Sequence, residues 1–179
     1  MDGLTHCPRL WLSMTAGAMA ASLNLRKLVA NKDRHSAALC NQVTRKIIGW
    51  ALDKSMTNEL IISAFNMAVA SRNVRPGLIL HSDRGVQYRS GEYQHLLHTR
   101  GIRPSMSHKG NCWENAAMES FFARLKVESI YAEDVTDKQN AYSVVFEYIE
   151  MFYNRVRRHS TIGYKRPAEY ENEYYEKCA

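Results

Sequence analysis

Between the turn residues Arg75-Pro76-Gly77 and Asp83-Arg84-Gly85 lies a short, mostly aliphatic run, residues 78–81. It is too short for a helix to bury a stripe and too apolar to lie in water, so it reads as a buried strand. Helical patterns flank it. Upstream, Thr57 offers an N-cap and Glu59 a first-turn acid. From there Leu60, Ile61, Ala64, Phe65, Ala68 and Val69 recur at helical spacing to about residue 71. Downstream, Ser90 can cap a helix through Thr99, which Gly101 stops in the left-handed conformation. A chain that alternates in this way folds as an α/β structure, with helices packed on the faces of a sheet.

The remaining elements fit that frame. Residues 43–52 are short, apolar and β-compatible, and Gly49 within them allows a close approach or a bulge. Residues 102–107 read as a strand, 108–111 as a loop and 114–129 as a helix. A second long helix is expected over 137–156. There Tyr142, Val145, Phe146, Ile149, Phe152, Tyr153 and Val156 form a regular stripe, read as core packing. The acidic, tyrosine-rich tail after Pro167 reads as a terminal helix. Residues 1–40 are harder to place: alanine richness favours a helix, but the apolar positions make no clean stripe. With no internal repeat or low-complexity linker, the chain reads as one domain over 41–179 with a C-terminal helical extension, preceded by an atypical segment, 1–40.

The chain is 179 residues long, long enough for one real core, and its net charge of +6 permits nucleic-acid binding without requiring it. Cys7, Cys40, Cys112 and Cys178 include no C-x-x-C pair, which excludes a readable zinc knuckle or disulfide framework and points to a reducing, cytoplasmic setting. The apolar stretch 10–25 is broken by Ser13, Thr15, Gly17, Ser22 and Asn24, so no membrane role follows.

Asp83 closes the buried run, at the strand end where open α/β sheets place ligands. Alone, it is equally a turn aspartate that bonds nearby amides. Glu119 lies in the helical pattern that follows, with thirty-five residues between the two. On that helix Asn115, Glu119, Phe122 and Lys126 fall along one face. Clustered carboxylates suit magnesium, a hard cation that prefers oxygen ligands, and two such ions can activate a nucleophile and stabilise a leaving oxygen at a phosphodiester. Lys109 and Lys126 could bind flanking phosphates, with Lys109-Gly110-Asn111 as a close-approach loop. Residues 151–166 add Arg155, Arg157, Arg158, Lys165 and Arg166, interleaved with Tyr153, His159 and Tyr164 and with no acid. Such a segment suits phosphate contact as well as it suits a solvated face.

HSDRGVQY, then SMSHKGNCWENAAMESFFARLK, then EYIEMFYNRVRRHSTIGYKRPAEY, all within residues 43–175, resemble the second-frame products of insertion sequences, transposases with a retroviral-integrase-like D-D-35-E core. The resemblance implies a ribonuclease-H-like fold: a mixed sheet flanked by helices. It implies two magnesium ions, with Asp83 and Glu119 as the second and third catalytic acids and metal ligands. It also implies DNA contact by Lys109, Asn111, Asn115, Lys126, Arg155, Arg157 and Arg158. The expected partners are element-end and target DNA, together with further copies of the chain or a full-length transposase.

The departures bear on activity. The family's first aspartate, in a pattern like W-x-x-D-I-T-Y, is expected near Leu23, where this chain has no acid. Asn41 stands where the family often shows aspartate. Residues 1–40 look unlike the expected hairpin, as in a chain truncated or frame-shifted at its N-terminus, so the N-terminal strands are expected to be incomplete. The resulting expectation is a transposase-like protein with impaired strand cleavage and transfer. The alternative is a non-catalytic DNA-binding or transposase-interacting remnant.

Overall fold

Five short strands form one mixed sheet in the order β3-β2-β1-β4-β5. They are Trp11–Ala16 (β1), His35–Asn41 (β2), Ile47–Asp53 (β3), Ile79–Ser82 (β4) and Arg103–Met106 (β5). The structure, a computed structural model, describes residues 11–16, 35–107, 116–130 and 138–178. β1 runs antiparallel to β2 and parallel to β4, and β4 runs parallel to β5. The N-terminal region thus supplies β1, the central strand, and β2 beside it. Both fall in or beside segments whose small residues read as helix-prone or atypical. Helix propensity amounts to a few tenths of a kcal/mol per residue. Ala37, Ala38, Leu39 and Cys40, each at most 1% exposed, are buried on both faces of the sheet, which outweighs it.

Alternation along β2 divides the core into two layers. Ala37 and Leu39 pack with Leu78 and Leu80 against α1 (Asn58–Ala70) and α2 (Gly91–Thr99). Ala38 and Cys40 pack on the opposite face, against α3 (Ala116–Leu125) and α4 (Lys138–Phe146). The local signals hold here. Ser90 caps α2, its hydroxyl accepting the Tyr93 amide at 3.3 Å, and Gly101 has φ +66°, whereas Thr57 takes the N-cap position of α1 without a side-chain hydrogen bond to the helix backbone. Gly49 serves both of its expected uses: the β2–β3 register shifts beside it, and α1 lies directly over it.

Both α3 and α4 widen into π-helical turns, at Lys126–Ile130 and Glu147–Tyr153. The wider turn advances the buried face, so the aromatic stripe splits. Val145, Ile149 and Tyr153 are buried, whereas Tyr142, Phe146, Phe152 and Val156 are 41–54% exposed. The reading of the whole stripe as core is corrected to that extent.

The C-terminal segment is tied into the sheet by polar side chains. Asn154, 2% exposed, pairs with both backbone groups of Ile47 at the outer edge of β3, at 3.0 and 2.9 Å. Glu171 on α5 (Pro167–Cys178), 4% exposed, accepts from Arg72 and Lys46, each at 2.8 Å. Arg157 bonds the Glu128 carboxylate through Nε at 2.8 Å and Nη2 at 2.9 Å.

His159 and Glu128 shape the acid stability. Burial, and then Arg157 and Arg45, push His159 down to about 4, and its Nε2 is buried without a hydrogen-bond partner among the described residues. Between about pH 4 and the ordinary value of 6.5 the unfolded chain binds the extra proton, so stability falls as pH drops through that window. Hydrogen bonding from Arg157 holds Glu128 below its ordinary 4.5, so its contribution is present above 4.5 and is lost further down, as pH falls through the depressed value. Urea midpoints measured against pH should therefore show two limbs. His159→Phe, which keeps the edge contact with Tyr153, should flatten the upper limb, and Glu128→Gln the lower. An unchanged upper limb in His159→Phe would count against the assignment.

Candidate active site

Asp83 follows the last residue of β4 and is half-buried. Its Oδ1 accepts the Gly85 amide at 2.7 Å, so the turn role open from the sequence is realised. A β-carbon at Gly85 would lie 2.9 Å from that oxygen, so a larger residue there would push the Asp83 carboxylate aside. Burial raises the Asp83 carboxyl above its usual range, and the Gly85 amide and nearby His81 partly offset this.

The turn is held from β5. Arg84 Nε donates to the Ser107 carbonyl at 2.8 Å, and the Ser107 amide donates to Ser82 O at 3.0 Å. The His81 ring lies between two hydroxyls, with Nδ1 3.0 Å from Ser105 Oγ and Nε2 3.1 Å from Ser107 Oγ. On the other flank Gln87 donates to Met56 O at 3.1 Å. The sequence reading missed this brace. Its signal was the Ser-Met-Ser alternation, which sets Ser105 and Ser107 on one face opposite His81.

Glu119 is exposed in the first turn of α3, while Met118, Phe121, Phe122 and Leu125 bury that helix. The face expected from the sequence is therefore divided, because Phe122 and Lys126 are buried, at 3% and 8% exposed. Desolvation lowers the Lys126 ammonium below its ordinary value. Leu80 packs in the α1–α2 layer and Phe121 and Phe122 of α3 in the opposite one, while Asp83 stands directly after Ser82, where β4 ends. Among the described residues, no three His, Cys, Asp or Glu side chains come together as an ion site. Lys109, Asn111 and Asn115 lie outside the described residues.

Of the basic segment, Arg155 and Arg158 are exposed, whereas Arg157 is engaged with Glu128. Asn41 has a structural role: its Oδ1 accepts the amides of Val43 and Thr44 at 2.9 and 3.2 Å, closing the β2–β3 turn. An aspartate oxygen would do the same, so that departure costs the hairpin nothing.

Among known proteins, the chain is 43% identical over 143 residues to the insertion element IS600 uncharacterized 31 kDa protein of Shigella sonnei, covering 80% of this chain and 53% of that one. It is 44% identical over 129 residues to transposase InsF for insertion sequence IS3A of Escherichia coli, covering 72% and 45%. Integrase core domain models match residues 27–112 and 100–167. The chain belongs to the integrase core family of insertion-sequence transposases. Its fold is ribonuclease-H-like. The catalytic core domain of BIV integrase superposes with a TM-score of 0.65 at 16% identity, over 94% of this chain and 98% of that one. The simian T-cell lymphotropic virus intasome in complex with PP2A regulatory subunit B56 gamma gives a TM-score of 0.68 at 19% identity, over 94% and 55%. This integrase-core chain spans about half the length of the curated relatives it matches.

Proposed function

We propose that this chain acts on insertion-element DNA in transposition, with Asp83 and Glu119 as the acids of a phosphodiester cleavage and strand-transfer centre whose activity is impaired. What supports this reading is the position of Asp83, half-buried directly after the last residue of β4, at the sheet end where α/β folds hold ligands. The impairment follows from composition: Trp11–Ala16 contains no acid, and Asp2 and Asp33 are the only acids before Asp53. The runner-up is a non-catalytic chain that binds element-end DNA or associates with an intact transposase. It draws on the same missing acid and on the exposed Arg155 and Arg158.

A mobility-shift titration on element-end duplex, paired with a magnesium-dependent strand-transfer assay, tests the reading. Binding is expected together with little or no joining of ends to target. Arg155→Ala/Arg158→Ala should weaken binding about tenfold at low salt and reduce the salt slope by about two, one per lost phosphate contact. Arg157→Ala should act chiefly on stability, because it leaves Glu128 without its bidentate partner. Absence of any shift by the folded wild-type chain sinks the DNA reading. Efficient end joining sinks the impairment.

A further inference from the structure

We infer that Tyr164 is a stacking platform for an unpaired base of single-stranded DNA, on a braced loop whose two ends carry Arg158 and Arg166. The inference rests on the proposed DNA reading and names the form of DNA that this surface takes. Tyr164 is 70% exposed, more than any other aromatic side chain among the described residues, and its backbone has φ +58°. The left-handed region suits glycine or asparagine and is strained for a bulky side chain. The fold has no use for tyrosine here: the ring buries little, and the turn would close more easily with either of those residues. A strained residue kept where packing does not require it points to a role outside the fold.

The loop holds the ring in place. His159 and Lys165 form an antiparallel bridge, with the His159 amide donating to the Lys165 carbonyl at 3.0 Å. The His159 carbonyl accepts the amides of Ile162 at 3.2 Å and Tyr164 at 2.8 Å. Ile162, 5% exposed, anchors the loop from below, and Pro167 is buried where α5 begins. Arg158 directly precedes the bridge and Arg166 directly follows it. Both are exposed and neither makes an ion pair among the described residues, whereas Lys165 is taken by Glu173. An exposed ring with cations at the mouth of its loop matches a nucleotide, a flat base joined to a phosphate. A duplex keeps its bases stacked on one another, so a ring presented in this way meets only an unpaired one.

The test is fluorescence anisotropy of the full chain with labelled oligothymidine of about 16 nucleotides and, separately, with a blunt element-end duplex. Wild type should bind both. Tyr164→Asn should bind the oligonucleotide at least about tenfold more weakly and hold the duplex nearly as well as wild type. It should melt no lower, because asparagine tolerates the left-handed backbone. Tyr164→Trp should keep the oligonucleotide affinity, and Arg158→Ala/Arg166→Ala should lower it and flatten its salt dependence. Equal oligonucleotide binding by Tyr164→Asn and wild type overturns the assignment, as does an equal loss on the duplex or an equal loss in Tyr164→Trp. A Tyr164→Asn change that alters sedimentation and leaves the oligonucleotide affinity alone assigns the ring to a protein contact, and overturns it too. Wild type that binds the duplex and not the oligonucleotide ends this inference alone, and wild type that binds neither ends the DNA reading as well.

Discussion

Gly49→Ala is expected to destabilise the fold by about 3 kcal/mol or more, at or beyond the upper end of ordinary overpacking costs. A β-carbon at this position would lie 2.2 Å from the Ala64 carbonyl oxygen and 2.8 Å from both the amide nitrogen and the β-carbon of Ala68. Two of those three atoms are backbone of α1, so no side-chain rotation relieves the contact, and the helix would have to lift from the sheet. Ala64 and Ala68 are 0% and 2% exposed, and Leu60, Ile61 and Phe65 share their layer, so lifting the helix would open the core along its length. For a domain of this size the loss corresponds to a fall in Tm of roughly 6–12 °C. Gly77→Ala is the control. Nothing lies within 4 Å of its added carbon, and its cost, from φ +89°, should stay near 1 kcal/mol. Thermal melts that rank the two the other way would show that α1 adjusts over β3 more freely than the contacts allow.

What could be read from the sequence was local. The Ser90 cap, the Gly101 stop and the apolar run before Asp83 each depend on chemistry within a few residues, and the structure keeps all three. The same holds for Gly49, because a glycine inside an apolar strand has few other uses. β2 was illegible because its small residues carry no strand signal of their own, and pairing with neighbouring strands decides its state. The arginines show the limit most clearly. Arg155, Arg157 and Arg158 look alike in the chain, yet Arg157 lies against Glu128, twenty-nine positions away. No local pattern marks that pair. The candidate site divides in the same way. Spacing pointed to Asp83 and Glu119, but which face of the sheet each position takes depends on register, and so does the expected place of the missing acid.

The second large effect is expected at Asn154. Its side-chain oxygen accepts the Ile47 amide, and its nitrogen donates to the Ile47 carbonyl, as a neighbouring strand would do at the free edge of β3. All of these groups are buried. Asn154→Ala leaves two backbone groups without partners in a dry site, at roughly 1–3 kcal/mol each, for a total of about 2–5 kcal/mol. Glu171→Gln provides the contrast. Its cationic partners Lys46 and Arg72 keep 28% and 21% of their side-chain surface in water, so screening limits the loss to about 1–2 kcal/mol. Denaturant midpoints should therefore rank Asn154→Ala well below Glu171→Gln. Asn154→Asp refines the assignment: it keeps the acceptor for the Ile47 amide but turns a carboxylate oxygen towards the Ile47 carbonyl, so it should be no more stable than Asn154→Ala at neutral pH and should recover as acid returns a proton to that oxygen. Hydrogen exchange at the Ile47 amide supplies the local readout. It should lose protection in Asn154→Ala more than any other β3 amide does, and uniform loss along the strand would mean that Asn154 supports the C-terminal segment as a whole and not this edge.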